Sequence, residues 1–187
     1  KIKSNEKTKF NPLSPYAISK LSAHQMTINY RKNYNIFASS GILFNHESPL
    51  RDDKFISKKI IKNLIKYKRG LIKTFEVGNI NARRDWGHSK DFVKAMYLIM
   101  QYKYADDFTI TSEYNYSVKE LISTACKIID IKCEWKGVGT RQALIDKKNK
   151  SKIIKINPKF FRPLDIDYSS GDSMKAKKLL NWKCQIS

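Results

Sequence analysis

Tyr16 and Lys20 stand four residues apart, directly after Ser14-Pro15. Pro15 suits the first turn of a helix and Ser14 the cap before it, so the spacing predicts a helix with both side chains on one face, one turn apart. An isolated phenol titrates near ~10, and a neighbouring ammonium favours the phenolate. A tyrosine so placed can act as a general base near neutral pH. The chain is rich in both residue types, so chance spacing is the competing reading. A second candidate is Asn45-His46-Glu47-Ser48-Pro49, an abruptly polar cluster after the mostly apolar run from Asn35 to Phe44. Ligands of open parallel sheets bind just past the carboxyl ends of strands, which makes this cluster a candidate site.

These groups need a scaffold, and the apolar spacing supplies one. Helices are predicted over 15–33, with Ala17, Leu21, His24 and Ile28 as the apolar stripe, and over 55–67. A third is predicted over 89–102, with Phe92, Ala95, Met96, Ile99 and Met100 facing the core, the methionines as filler. A fourth follows Ser117, whose partner Glu120 completes a capping box, and Asp172 caps a last helix to about Leu180. Strands are predicted over 35–44 (buried on both faces), 72–77, 107–111, 131–136 and 152–156. Residues 137–151 read as a flexible surface loop and 157–167, with Pro158 and Pro163, as irregular. Alternating strands and helices give an α/β class.

Composition narrows the function. The 187 residues hold 37 Lys+Arg against 17 Asp+Glu, a formal charge of +20. The basic residues are spread along the whole chain and most are lysine, so a solvated surface is the simpler reading than a nucleic-acid or membrane patch. Cys126, Cys133 and Cys184 form no C-x-x-C pair, which argues against a disulfide framework or zinc site and fits a reducing cytoplasm. No apolar run approaches the ~18 residues of a membrane span, and no signal peptide is visible.

Four segments carry a family resemblance: Tyr16 with Lys20, the string from Gly41 to Pro49, the string Ala82-Arg83-Arg84-Asp85-Trp86-Gly87-His88-Ser89-Lys90-Asp91, and Phe161-Arg162-Pro163-Leu164-Asp165 with its continuation to Trp182. In this order they resemble the extended short-chain dehydrogenase/reductase family, and within it the GDP-mannose 4,6-dehydratases, from about Phe10 to Trp182. The resemblance implies the C-terminal part of a doubly wound Rossmann-type NAD(P)-binding fold plus a smaller mixed α/β substrate-binding domain. Rossmann-type elements would lie mainly in 10–50 and 72–111, and the nucleotide-sugar part mainly in 51–71 and 112–187. It implies Tyr16 as the catalytic tyrosine, with Lys20 bonding the nicotinamide ribose. His46 and Arg51 would contact NADP. Asn45, Lys59, Asn79, Arg84, Arg162 and Asp165 would contact GDP-mannose. The chemistry agrees: arginine forks suit a diphosphate, and a carboxylate accepts from ribose hydroxyls or guanine N–H groups.

Competing structural readings stand beside these. His46 fits a turn, Arg84 with Asp85 a surface ion pair, and Trp86 a packing anchor; His24 and His88 read as structural, and Glu47 is ambiguous. Leu50 stands where the family carries an arginine, and Asp165 is one methylene shorter than the family's glutamate. The Gly-rich dinucleotide loop and the acid/base glutamate do not occur, which leads to the expectation of an inactive piece whose N-terminal half is missing. In full-length form the family implies dimers or tetramers. Two alternatives stay open: a related nucleotide-sugar epimerase or reductase, and a basic nucleic-acid-binding module.

Overall fold

The computed structural model describes residues 3–162 and 164–186; Pro163, which the sequence places in an irregular segment, lies outside them. In chain order the elements are α1 (Pro15–Tyr34), β1 (Ser40–Leu43), β2 (Asn45–Glu47), α2 (Ile56–Lys68), β3 (Phe75–Val77), β4 (Arg83–His88), α3 (Ser89–Gln101), β5 (Asp107–Ile110), β6 (Asn115–Ser117), α4 (Val118–Ile128), β7 (Cys133–Lys136), β8 (Ala143–Asp146), β9 (Lys152–Ile156) and α5 (Met174–Leu180). They form two compact units, one over 1–48, 84–115 and 169–187, the other over 49–83 and 116–168.

The first unit is built on parallel pairs. β1 pairs with β5 from Ser40↔Asp107 to Leu43↔Ile110, and β2 pairs with β4 from Asn45↔Trp86 to Glu47↔His88. The core joins Phe92, Ala95 and Ile99 of α3 to Phe108 and Ile110 of β5, Ala176 and Leu180 of α5, and Trp182. Each large side chain fully buried there contributes about 1.5–3 kcal/mol. The Trp182 indole N–H donates to the Asp91 carbonyl at 2.9 Å, so its one polar atom is satisfied inside the core.

α1 is capped as its sequence predicts: the Ser14 hydroxyl accepts from the Ala17 N–H at 3.1 Å. Its stripe of Ala17, Leu21, His24 and Ile28 is half-buried, while Ile18, Met26 and Tyr30 are exposed and no residue of the helix is fully buried. Arg31 fastens the far end of the helix. Its Nη2 reaches Asp107 Oδ1 at 2.5 Å and its Nε donates to the Ala38 carbonyl at 2.5 Å.

The second unit is a four-stranded mixed sheet in the order β3-β9-β8-β7, parallel at β3–β9 and antiparallel elsewhere. α2 buries Ile60 and Leu64, and α4 buries Val118, Ile122 and Cys126. The capping box of α4 forms: the Ser117 hydroxyl accepts from the Glu120 N–H, and the Glu120 carboxylate accepts from the Ser117 N–H at 2.6 Å.

Several expectations need correction. Residues 137–151 are not a flexible loop throughout: they contain a short 3-10 turn at Gly139–Arg141 and β8, whose Ala143, Leu144 and Ile145 are buried between two partner strands. Met96 and Met100 are exposed, because α3 buries only Asp91, Phe92, Ala95 and Ile99 and turns the residues that follow Ala95 and Ile99 outward. The strand over 35–44 shortens to β1, none of whose residues is fully buried. β2, β4 and β6 were not anticipated as strands, and His46 lies on β2 rather than on a loop. The strand in 72–77 joins the sheet of the second unit, and 169–187 packs in the first through α5 and Trp182.

Candidate active site

On α1, the i, i+4 spacing brings the Lys20 ammonium to 5.6 Å from the centre of the Tyr16 ring. Tyr16 is 72 % exposed, so its hydroxyl is reachable by a ligand. The helix that presents the pair is fixed at its start by Ser14 and at its end by the Arg31–Asp107 pair.

Asn45 and His46 lie on β2, half-buried. The His46 ring packs on Phe92, with centroids 4.8 Å apart, and its Nδ1 lies 2.9 Å from the Phe44 carbonyl. A carbonyl only accepts, so Nδ1 carries the proton and Nε2 is the acceptor of the neutral ring. His46 is thus held by packing and by one hydrogen bond, which a turn residue does not need.

β4 carries Arg84 beside this strand. Alternation puts Asp85 and Gly87 on the buried face and leaves Arg84, Trp86 and His88 half-buried. Asp85 is 0 % exposed and is no surface partner of Arg84. Its carboxylate accepts from Ser112 N at 2.8 Å, Ser112 Oγ at 2.7 Å, Glu113 N at 3.1 Å, Gly171 N at 3.4 Å and the Thr111 hydroxyl. A Cβ on Gly171 would stand 2.7 Å from the Phe44 ring, and one on Gly87 2.5 Å from Cε2 of Phe92.

His88 caps α3, its Nδ1 accepting from the Lys90 N–H. Asp91 then receives the N–H groups of Gln185 and Ile186 at 2.9 and 2.8 Å, and the Cys184 thiol. Burial opposes the ionised Asp91, but these donors outweigh it and hold its carboxyl below the usual range. Burial, then the Asp91 carboxylate, pushes the Cys184 thiol up to about 11.

Glu113, which the sequence reading passed over, gathers Ser173 N at 3.1 Å, Ser173 Oγ at 2.7 Å and Lys177 Nζ at 2.6 Å. Burial alone would raise its carboxyl, but these donors lower it to about 2.

The second unit holds the remaining predicted residues. Arg51 stacks its guanidinium on Phe55, 3.5 Å from the ring centre, just after Leu50, which is 94 % exposed. Lys59 Nζ lies 4.8 Å from the Phe160 ring centre. A Cβ on Gly78 would meet the Phe160 carbonyl at 2.7 Å, so the Gly78-Asn79 turn closes on the same residue. The Asn79 side-chain oxygen accepts from Asn81 N at 2.9 Å, leaving its amide hydrogens as donors. Arg162 is exposed two residues after Phe160, and its carbonyl accepts from the Asp165 N–H at 3.1 Å. Lys59 and the Gly78-Asn79 turn therefore meet at Phe160, the last residue of the short 3-10 turn Pro158–Phe160, and Arg162 and Asp165 follow it in the chain. Phe160 is the residue whose role spacing did not reveal. A separate cavity of about 680 Å³, lined by Tyr67, Lys68, Lys73, Asp146 and their neighbours, shares no residue with the predicted set.

The fold recurs in solved structures. RMD from Pseudomonas aeruginosa, complexed with NADPH, superposes with a TM-score of 0.81 at 20 % identity, covering 100 % of this chain and 56 % of that one. DesIV from Streptomyces venezuelae, a dTDP-glucose 4,6-dehydratase, gives 0.80 at 17 % identity, covering 100 % and 51 %. The architecture is a Rossmann-type α/β fold of the class that nucleotide-sugar dehydratases and epimerases adopt. At the level of sequence, the family model described as GDP-mannose 4,6 dehydratase matches residues 1–187. The GDP-mannose 4,6 dehydratase of Drosophila melanogaster is 40 % identical over 183 residues, covering 98 % of this chain and 46 % of the relative. That of Dictyostelium discoideum is 40 % identical over 186 residues, covering 100 % and 52 %. The chain belongs to the GDP-mannose 4,6-dehydratase family, and it spans about half the length of the curated relatives it matches.

Proposed function

We propose that the complete protein containing this chain converts GDP-mannose to GDP-4-keto-6-deoxymannose with NADP, and that Tyr16 is its catalytic base. The observation that carries this reading is an exposed phenol with an ammonium 5.6 Å from its ring on the first two turns of α1, in a chain of this family. The donor set fits a nicotinamide dinucleotide. Tyr16 and Lys20 offer a hydroxyl and an ammonium side by side, the groups a ribose diol bonds. His46 offers a ring nitrogen held in one tautomer, and Arg51 a guanidinium suited to a phosphate.

When bound, the nicotinamide supplies a hydride acceptor and later a hydride donor, so no external reductant is consumed. Tyr16 takes the proton of the sugar's 4-hydroxyl. Lys20, one turn on, steadies the charge that this transfer develops on the oxygens. The new ketone acidifies the proton on carbon 5, and water leaves across carbons 5 and 6. No residue of this chain is assigned the acid/base role in that elimination. Arg84, Lys59 and Arg162 take the diphosphate, Asn45 and Asn79 donate to the nucleotide sugar, and Asp165 accepts from the ribose or guanine. The 187 residues hold no Gly-x-x-Gly-x-x-Gly loop, and this polypeptide alone is expected not to turn over GDP-mannose.

The test is Tyr16→Phe in the complete protein. Turnover is expected to fall by at least about 10²-fold while GDP-mannose affinity stays within about twofold. Equal loss of both would make Tyr16 a structural residue. Product analysis should find a 6-deoxy-4-keto sugar; a hexose epimer with its 6-hydroxyl intact would overturn the reaction proposed.

A further inference from the structure

We propose that Asp85 is a positioning residue, which sets the direction of Arg84 and the seat of Asn45 for a nucleoside diphosphate. This rests on the reading of Arg84 as a diphosphate contact. Arg84 and Asp85 are consecutive on β4, so their side chains leave opposite faces of the strand. The inner face is fixed with unusual completeness. A carboxylate at 0 % exposure receives donors from three consecutive residues, Thr111, Ser112 and Glu113, and a fourth from Gly171.

Burying that charge is tolerable only with donors on both oxygens, and both have them. The result is a strand that cannot roll about its axis without breaking several charge-assisted hydrogen bonds together. Rolling is the motion that would swing Arg84. The same anchor reaches β2, because Asn45 pairs with Trp86 and His46 with Gly87. Gly171 extends the constraint, since its backbone approaches Asp85 only because no Cβ stands between the Phe44 ring and Thr111. Phe44 is the residue immediately before Asn45. A clamp invisible to the ligand therefore holds the groups that would face it, and misplacement by about 1 Å is enough to weaken such contacts severely.

The experiment is a double-mutant cycle in the complete protein, read by calorimetric binding of GDP. Arg84→Ala should weaken GDP by at least about tenfold. Asp85→Asn should weaken it about tenfold when Arg84 is present and by less than about twofold when residue 84 is alanine. Equal weakening in both backgrounds would overturn the positioning role, because a structural defect does not depend on Arg84. Unchanged GDP binding in Arg84→Ala would instead remove the diphosphate reading of Arg84, and the role of Asp85 with it. Should Asp85→Asn fail to fold, Ser112→Ala removes one donor to the same carboxylate. It should weaken GDP about threefold with the same dependence on Arg84, and no weakening would overturn the proposal.

Discussion

Replacing Glu113 by glutamine keeps the shape of the side chain and removes its charge. Glu113 links the segment after β5 to α5 across sixty residues, through Ser173 and Lys177. Its carboxyl falls from an ordinary 4.5 to about 2. At about 1.4 kcal/mol per tenfold change in proton affinity, that gap bounds the contribution to stability at about 3 kcal/mol. The side chain is 22 % exposed, and solvent screening brings the expectation to about 2 kcal/mol. The folded state favours the ionised form, so the contribution is complete above pH 4.5 and is lost as pH falls from 4.5 towards about 2. Glu113→Gln should therefore unfold about 4–8 °C lower than the parent at pH 7, and the two melting temperatures should converge near pH 2. Thermal unfolding by circular dichroism across that range makes the comparison, with the general acid repulsion of a +20 chain nearly common to both proteins. A difference that stays constant from pH 7 to pH 2 would refute the argument, because it would have a source other than the charge.

Two further outcomes follow from the same structure. Arg31→Met keeps most of the apolar bulk but leaves Asp107 without its guanidinium and the Ala38 carbonyl without its donor; we expect a loss of about 2–4 kcal/mol in urea unfolding, and a loss below ~0.5 kcal/mol would mean that the pair does not hold α1. Ser117→Ala breaks the capping box of α4 and should cost about 1–2 kcal/mol, whereas Ser117→Asp, which also accepts from a backbone N–H, should recover most of it.

The helices were legible because their signals are local. Ser14 and the Ser117–Glu120 box cap within three residues of themselves, and Phe92, Ala95 and Ile99 fall at helical spacing; at α5 the N-cap is Ser173 rather than Asp172, whose carboxylate accepts from the Met174 N–H. β8 was not legible: Ala143-Leu144-Ile145 is three apolar residues among polar and charged ones, and only pairing with β7 and β9 makes it a buried central strand. β4 hid for a related reason. Arg84-Asp85-Trp86-Gly87 has no alternating apolar pattern, since its inward residues are a carboxylate and a glycine, and the donors that satisfy the carboxylate lie 26 to 86 residues away. At the site, the Tyr16–Lys20 neighbourhood could be read from spacing alone. The tautomer of His46 could not, because the Phe44 carbonyl fixes it. Nor could the role of Phe160, because Lys59 and Gly78, which it contacts, both lie far earlier in the chain.

The corner between β4 and α3 leaves no vacancy at Gly87, whose missing side chain is replaced by the ring of Phe92. That ring is itself wedged between His46 and Trp182 and has nowhere to retreat. Positions 87 and 92 are thereby locked in epistasis. A lineage could enlarge the first only after shrinking the second, and each intermediate would pass through a cavity or a collision.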